Sequence, residues 1–198
     1  MAKVGLYFGS FNPIHIGHIA IAGYMAEFTG LDEIWFIVSP HNPLKKKESL
    51  LADYHRFYMT ELAIKNYHQM RASDIESRLP LPSYTVDTLA HLQEKNPADK
   101  FSLVMGEDNL YTLHRWKNPE VLVNRYPIYV YPRPYTKKPS SPLLENILAM
   151  AEIKSAKAPV MDISGTFIRN GIKKGKNMSY FLPPSVWKYI REMHFYEK

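Results

Sequence analysis

The densest group of chemically useful side chains lies near the start of the chain, in the ten residues Gly9–His18 (Gly-Ser-Phe-Asn-Pro-Ile-His-Ile-Gly-His). Gly9 and Gly17 carry no side chain and let the backbone approach a ligand closely. A helix that begins near Gly17 would point its unpaired N–H groups and the positive end of its dipole at that ligand, which favours an anion. His15 and His18 are three residues apart, so one helical turn places both imidazoles on one face, where both can donate to a phosphate.

A purely structural role or a metal-binding role would account for fewer features of this segment than phosphate binding does. The glycines alone would suit any tight turn between a strand and a helix, and a lone histidine is more often structural. A metal-binding pair is the main chemical alternative, but a His-x-x-His spacing without a nearby carboxylate or third histidine is a weak metal signal. The combination of glycines and histidines therefore favours phosphate binding.

A second segment, Ile163–Arg169 (Ile-Ser-Gly-Thr-Phe-Ile-Arg), has the features of another anion-binding helix start. Ser164 is a favourable N-cap residue, and Thr166 adds a hydroxyl and a backbone donor to the first turn. Arg169 follows one turn later and can form a charge-assisted contact with phosphate. Taken alone, the segment would favour an ordinary capped helix with a surface arginine.

Strands alternate with helices around these two segments. We predict strands over Lys3–Phe8, Glu33–Val38, Met70–Ser73, Phe101–Met105, Tyr126–Tyr131 and Pro159–Met161. We predict helices over Gly17–Phe28, Leu51–Tyr67, Val86–Glu94, Pro119–Asn124, Pro142–Met150, from about Gly165, and over Pro184–Met193. The alternation implies parallel strands joined by right-handed crossovers, hence an α/β fold with an open parallel sheet. Ligands of such sheets bind at the carboxyl ends of the strands, where the first segment begins.

The composition narrows the class of protein. The 198 residues, 45% hydrophobic and 22% charged, suit one domain over 1–198, with a C-terminal helical segment over about 164–198. The chain has no cysteine, which excludes disulfides, thiolate nucleophiles and cysteine-bound metal. No run approaches the ~20 apolar residues of a membrane span, and the first residues lack a signal-peptide pattern. We therefore expect a cytoplasmic protein with no membrane partner.

The net charge of +6 is concentrated towards the C-terminus, since residues 165–198 hold seven lysines and arginines against two glutamates. Such a concentration indicates a phosphate-bearing partner or simply a solvated surface. RNA binding through this segment and aromatic residues such as Tyr135 and Tyr180 is one alternative. Because RNA-binding signatures are absent, we expect no nucleic-acid partner. The oligomeric state is not readable from the sequence.

The first segment resembles the nucleotidylyltransferase superfamily, whose members carry a His/Thr-x-Gly-His motif at the first turn between strand and helix. His15–His18 matches this motif residue by residue. The same tetrapeptide occurs in class I aminoacyl-tRNA synthetases, but Lys176–Ser179 does not have lysines at the positions where their Lys-Met-Ser-Lys-Ser loop has them. The second segment resembles the Ile-Ser-Ser-Thr-x-Ile-Arg motif of adenylyltransferases, with Gly165 in place of a serine.

Further matches are similar to one family, the bacterial nicotinate mononucleotide adenylyltransferases, and together they cover nearly the whole chain. Pro82–Leu89 is similar to that family's Ser-Tyr-Thr-x-Asp-Thr-Leu segment, and Gly106–Asp108 is similar to its Gly-x-Asp. Trp116 matches its pyridine-stacking tryptophan, and Arg133-Pro134 matches its Arg-Pro after the fifth strand. The loop Pro40–Lys47 is similar to a Pro-Pro-His-Lys loop but has a lysine where the family has histidine, so the role of His41 is left open.

The resemblance implies a Rossmann-like fold of the nucleotidylyltransferase type, with helices on both faces of the sheet. It also implies transfer of AMP from ATP to nicotinate mononucleotide, giving deamido-NAD and pyrophosphate by direct in-line attack. His15, His18 and Arg169 would be catalytic, and Mg²⁺ would be bound mainly through ATP, without a dedicated protein site. The implied ATP-binding residues are Gly9, Ser10, Phe11, His15, Gly17, His18, Gly106, Asp108, Arg133, Ser164, Thr166 and Arg169.

The residues implied at the mononucleotide are Asn12, Lys46, Tyr84, Thr85 and Trp116. Trp116 would stack on the pyridine ring. Tyr84 and Thr85, at a helix start, would donate to the carboxylate of that ring. Transfer to nicotinamide mononucleotide or phosphopantetheine, and a non-catalytic RNA-binding module, remain as alternatives.

Overall fold

A six-stranded parallel sheet forms the centre of the structure, a computed structural model that describes residues 1–40, 50–137 and 139–197. The strands of this described part are β1 (Lys3–Gly9), β2 (Glu33–Val38), β3 (Met70–Ser73), β4 (Lys100–Gly106), β5 (Ile128–Tyr131) and β6 (Ile153–Ser155). Their order is β3-β2-β1-β4-β5-β6, and all neighbours are parallel. The strand order thus reverses between β1 and β4.

Helices connect the strands and continue beyond the last of them. They are α1 (Ile16–Phe28), α2 (Asp53–Ile64), α3 (Thr85–Lys95), α4 (Glu107–Leu110), α5 (Pro119–Arg125), α6 (Pro142–Met150), α7 (Gly165–Lys173) and α8 (Pro184–Glu192). None of the helices in the described ranges is long and apolar enough to cross a lipid bilayer.

The register of the central strands sends buried side chains to both faces of the sheet. Leu6 of β1 lies beside Leu103 of β4, and both belong to the core that α3, α5 and α6 cover. The next pair, Tyr7 beside Val104, belongs to the opposite core, which α1, α2, α7 and α8 cover. Because side chains alternate along a strand, one buried apolar strand can supply both cores. The prediction of an open α/β sheet with helices on both faces is confirmed.

The predicted elements agree with the structure to within a few residues at each end, apart from the last strand. The prediction of a strand at Pro159–Met161 is wrong, because the sixth strand is β6. β6 pairs with β5 at the edge of the sheet, with Ile153 beside Ile128. A strand of three exposed residues carries no alternation of apolar and polar side chains, while Pro159 has no N–H to donate to a neighbouring strand.

Candidate active site

A cavity of about 400 Å³ opens at the carboxyl edge of the sheet, at the ends of β1, β4 and β5. It lies where the strand order reverses, the position at which open α/β sheets bind ligands. The sequence-predicted residues that line it are Gly9, Ser10, Phe11, Asn12, His15, His18, Asp108, Arg133, Ser164, Thr166 and Arg169. The structure therefore brings the two motif segments together, although about 150 residues separate them in the chain.

Two helix N-termini meet at this cavity. His15 is the N-cap residue of α1, and Ser164 is that of α7, where its Oγ accepts a hydrogen bond of 3.2 Å from the N–H of Phe167. Neither helix has an acidic residue in its first turn. The positive ends of both helix dipoles and the N–H groups of both first turns can thus act on one anion. This arrangement suits a ligand with several adjacent phosphates.

The histidine pair is closely packed. The rings of His15 and His18 stack with their centroids 3.7 Å apart and an interplanar angle of 25°. The N–H of His15 donates to Nδ1 of His18 at 3.2 Å. A ring nitrogen that accepts a hydrogen bond carries no proton, so neutral His18 bears its proton on Nε2. Gly17 makes room for this packing, because a Cβ there would lie 3.1 Å from Nδ1 of His15.

The charge state of His15 follows from its surroundings. Its side chain is buried, with 4% of the residue exposed. Burial, followed by the positive charge of Arg133, lowers the pKa of His15 to about 3. His15 is therefore neutral at pH 7, and in that form it can donate one hydrogen bond from its ring without adding a positive charge beside Arg133.

Arg169 joins the second motif to the first. Its Nη1 donates to the backbone oxygen of Asn12 at 2.7 Å, and its Nη2 donates to Oγ1 of Thr166 at 3.2 Å. A Cβ on Gly165 would lie 2.8 Å from that Asn12 oxygen and 3.2 Å from Nη1 of Arg169. The glycine that replaces a serine of the family motif thus permits a closer approach of α7 to the first loop than a side chain would allow.

Asp108, beyond the end of β4, and Arg133, beyond the end of β5, also line the cavity. Nε of Arg133 lies 3.5 Å from Oδ1 of Asp108, and the N–H of Arg133 donates to Oε2 of Glu107 at 3.3 Å. Gly17 and Gly106 do not themselves line the cavity. Gly17 lies against His15 and Gly106 lies against Arg133, and both of those side chains line the cavity. A Cβ on Gly106 would lie 2.8 Å from Cγ of Arg133.

The cavity also has a tyrosine pair that was not predicted from the sequence. Tyr7 of β1 and Tyr131 of β5 line it, with their hydroxyl oxygens 3.1 Å apart. Burial raises the pKa of both hydroxyls, so both remain protonated at neutral pH. The Tyr7 ring also packs edge-to-face with the His18 ring, with centroids 6.1 Å apart. These tyrosines could have been found only by knowing which face of each strand reaches the cavity.

Tyr84, Thr85 and Trp116 do not line this cavity. They belong to a second group, here called the α3 cluster, which comprises Tyr84, Thr85, Asp87, Trp116 and Lys117. Tyr84 is the N-cap residue of α3. Nζ of Lys117 lies 2.9 Å from Oδ2 of Asp87 and 4.6 Å from the centroid of the Tyr84 ring. The turn that carries Trp116 is thereby held beside the start of α3.

A buried glutamate connects the α3 cluster with the sheet. Glu76 is 3% exposed, and Thr88 donates to its Oε1 at 2.9 Å. Burial raises the pKa of Glu76, while hydrogen bonds from Ser39, Thr88 and Ser83 oppose that rise. Ser39 follows β2 and Ser83 precedes α3, so Glu76 places the start of α3 at the carboxyl side of the sheet. No sequence pattern had indicated a role for Glu76.

Arg56 is a further residue that sequence reasoning missed. It is 0% exposed and donates to four backbone oxygens, those of Ser10 (2.6 Å), Ser39 (2.7 Å), Leu51 (2.9 Å) and Pro40 (3.0 Å). It also donates to Oδ1 of Asp53 at 2.6 Å. The one signal in the sequence was its position on the buried stripe of α2 with Met59 and Ala63, where an apolar residue would be expected.

The remaining predicted residue, Lys46, lies within 41–49, outside the described residues, as do His41, Lys45 and Lys47. Among the residues that are described, no three histidine, aspartate or glutamate side chains come together as metal ligands do.

Comparisons with known proteins identify relatives of this chain. Residues 6–171 match the family model described as Cytidylyltransferase-like. Proteins of Flavobacterium psychrophilum and Flavobacterium johnsoniae, both named "Probable nicotinate-nucleotide adenylyltransferase", are 53% and 54% identical over 196 residues, which is 99% of this chain and 100% of each relative. A solved structure described as "Plasmodium falciparum nicotinic acid mononucleotide adenylyltransferase complexed with NaAD" has a similar fold, with a TM-score of 0.81 at 22% identity, over 100% of this chain and 98% of that one.

Proposed function

Because this chain belongs to the cytidylyltransferase-like family, and within it to the nicotinate-nucleotide adenylyltransferases, we propose that it transfers AMP from ATP to nicotinate mononucleotide. A phosphate oxygen of the mononucleotide forms a bond to the α-phosphorus of ATP. The bond between that phosphorus and the oxygen bridging to the β-phosphate breaks, and pyrophosphate leaves with its electron pair. The product is deamido-NAD, a precursor of NAD.

The observation that carries this proposal is the meeting of two helix N-termini, Arg169 and the histidine pair at one cavity. The attacking phosphate oxygen is already ionised at neutral pH, so the reaction needs no general base. What it needs is alignment of two anionic reactants and stabilisation of the charge that develops between them. The donors around this cavity are suited to both tasks.

Each of the three catalytic residues has a distinct part in the proposal. Nε2–H of His18 donates to a phosphate oxygen of ATP, because Nδ1 is occupied by the His15 N–H. His15, neutral before ATP binds, donates beside it. Arg169 supplies the permanent positive charge, and its two hydrogen bonds orient the guanidinium before ATP arrives. Pre-arranged donors stabilise a transition state most strongly because they need little reorganisation during the reaction.

The other lining residues are assigned to the rest of ATP and to its metal ion. Arg133 can pair with the phosphates, and Asp108 can accept hydrogen bonds from ribose hydroxyls. Asp108 is the one acidic residue among the described residues of the lining, and it is paired with Arg133. Mg²⁺ would therefore be held mainly by phosphate oxygens of ATP and by water, as this ion commonly is. It would supply positive charge at the reacting phosphates.

Nicotinate mononucleotide is assigned to the α3 cluster and to the edge of the cavity beside Asn12. Trp116 offers a flat face for the pyridine ring, and the first turn of α3 offers N–H groups to the ring carboxylate. Lys46 is proposed to neutralise phosphate charge. A cytoplasmic location agrees with the need for ATP.

The experiment that tests the proposed function measures pyrophosphate release from ATP and Mg²⁺ with three acceptors in parallel: nicotinate mononucleotide, nicotinamide mononucleotide and phosphopantetheine. A clear preference for the nicotinate form is expected, because only that form carries the ring carboxylate. Equal use of both pyridine nucleotides would contradict the carboxylate site at α3. Release with none of the three would contradict the proposed reaction.

A further inference from the structure

The chain folds back on itself after α8. Residues 193–197, here called the C-terminal turn, include His194 and Tyr196 in the left-handed region, with φ of 53° and 65°. The N–H of Phe195 donates to the oxygen of Ile190 at 3.1 Å. The ring of Phe195 packs edge-on against His55 of α2, with centroids 4.6 Å apart. An ion pair of 2.8 Å between Arg191 and Glu197 holds the end of the turn.

This turn places Tyr196 against the first loop of the cavity. The Tyr196 hydroxyl lies 2.7 Å from Oδ1 of Asn12, a residue that is 6% exposed and lines the cavity. The N–H of Leu51 approaches the same atom at 3.4 Å. Because a backbone N–H can only donate, that atom is the amide oxygen, and the Tyr196 hydroxyl is the donor. Burial raises the pKa of this hydroxyl, so it remains a donor at neutral pH.

Asn12 is therefore held from two sides. Its side chain accepts from Tyr196, and its backbone oxygen accepts from Nη1 of Arg169 at 2.7 Å. The contact with Tyr196 spans 184 residues of sequence, and the contact with Arg169 spans 157. A displacement of Asn12 would move the oxygen that orients the guanidinium.

We propose that Tyr196 is a positioning residue for adenylyl transfer, acting through Asn12 on Arg169. The C-terminal turn is then part of the active-site framework, although Tyr196 itself is not among the residues that line the cavity. This inference rests on the proposed function. It adds to that function a residue that neither motif contains.

The test compares Tyr196→Phe, which removes the hydroxyl and keeps the ring, with Tyr189→Phe. Tyr189 lies on α8, and its hydroxyl is 2.8 Å from Nδ1 of His55, away from the cavity lining. We expect Tyr196→Phe to lower kcat about three- to tenfold, the size of one lost hydrogen bond. The KM for ATP should change less than about twofold, because ATP still binds in the ground state. Tyr189→Phe should keep the wild-type kcat.

A double-mutant cycle with Asn12→Ala tests the route of the effect. That substitution removes the amide oxygen but keeps the backbone oxygen that Arg169 contacts. If Tyr196 acts through Asn12, adding Tyr196→Phe to Asn12→Ala should lower kcat by less than about 1.5-fold. A full additional three- to tenfold loss would overturn the proposed route.

Thermal unfolding and substrate-saturated kinetics separate positioning from a folding defect. Equal kcat for Tyr196→Phe and Tyr189→Phe, or a loss explained by the unfolded fraction alone, would overturn the inference while wild-type activity stands. An inactive wild-type protein would instead overturn the proposed function. A lower kcat at an unchanged Tm, with unchanged binding of a non-hydrolysable ATP analogue, supports positioning.

Discussion

The cavity and the α3 cluster hold their functional side chains in different ways. At the cavity, contacts connect distant parts of the chain through buried or partly buried groups, such as Arg169 to Asn12 at 2.7 Å and Arg56 to Ser10 at 2.6 Å. At the α3 cluster, Lys117 links the Trp116 turn to α3 through its ion pair with Asp87 and its contact with the Tyr84 ring. The side chains of that pair are 42% and 51% exposed.

This difference corresponds to the two tasks of the proposed reaction. Stabilising a transition state requires donors fixed in advance, which buried hydrogen bonds provide. Binding the pyridine ring requires mainly a flat apolar face, and small displacements of such a face cost little. Substitutions at the cavity should therefore affect kcat and folding, whereas substitutions at the α3 cluster should affect mainly the KM of the mononucleotide.

The largest effect is expected at Arg56. Arg56→Met should lower the free energy of unfolding by about 3–5 kcal/mol, because it leaves four backbone oxygens and the Asp53 carboxylate without their donor. Chemical denaturation measures this loss. The matched control is Arg78→Met, at an arginine whose side chain is 71% exposed and paired with Asp74. We expect it to cost less than about 1 kcal/mol. Similar losses in both variants would contradict the framework role of Arg56.

His18 should have the next largest effect, on the chemical step. His18→Ala removes the proposed donor to the reacting phosphates and should raise the activation barrier by about 2–4 kcal/mol, with a much smaller change in the KM for ATP. Steady-state pyrophosphate release measures both constants. His68→Ala, at an exposed histidine outside the cavity lining, serves as the control and should be silent. An unchanged kcat in His18→Ala would remove this residue from the mechanism.

The buried state of His15 predicts a pH dependence of folding. Its pKa is about 3 in the folded protein against an ordinary value of 6.5, so below pH 6.5 the unfolded chain binds a proton that the folded protein does not. The free energy of unfolding should therefore decrease as the pH falls towards 3, with about 2 kcal/mol of His15-specific loss between pH 8 and pH 5. Urea denaturation of wild type and His15→Gln at both pH values isolates this contribution. Parallel pH dependences in the two proteins would contradict a lowered pKa.

The sequence predicted most of the fold because buried strands and amphipathic helices leave their pattern in neighbouring residues. The agreement ends where stability depends on distant contacts. β6 is a short exposed strand that exists because β5 lies beside it. Arg56 has the residue type of a solvated surface, and its burial becomes visible only when the loops around Ser10 and Ser39 are in place.

The candidate site shows the same limit. The sequence motifs predicted anion-binding sites at the N-termini of α1 and α7, and the structure places both N-termini at one cavity. Tyr196 belongs to no motif, and it reaches Asn12 only through the C-terminal turn. The glycine at position 165 departs from the family motif. A Cβ there would lie 2.8 Å from the backbone oxygen of Asn12, and no local sequence pattern shows that these two residues come so close.

The smallest effect is expected at the α3 cluster. Trp116→Ala should raise the KM for nicotinate mononucleotide about two- to tenfold, the size of one aromatic stacking contact, and leave kcat and the KM for ATP nearly unchanged. Lys117→Met should have a smaller effect on the same constant, because it removes an exposed ion pair but keeps the indole. Kinetics with each substrate varied in turn separate these constants. If Trp116→Ala raised the KM for ATP instead, the tryptophan would belong to the nucleotide side, and the division of tasks between the cavity and the α3 cluster would be wrong.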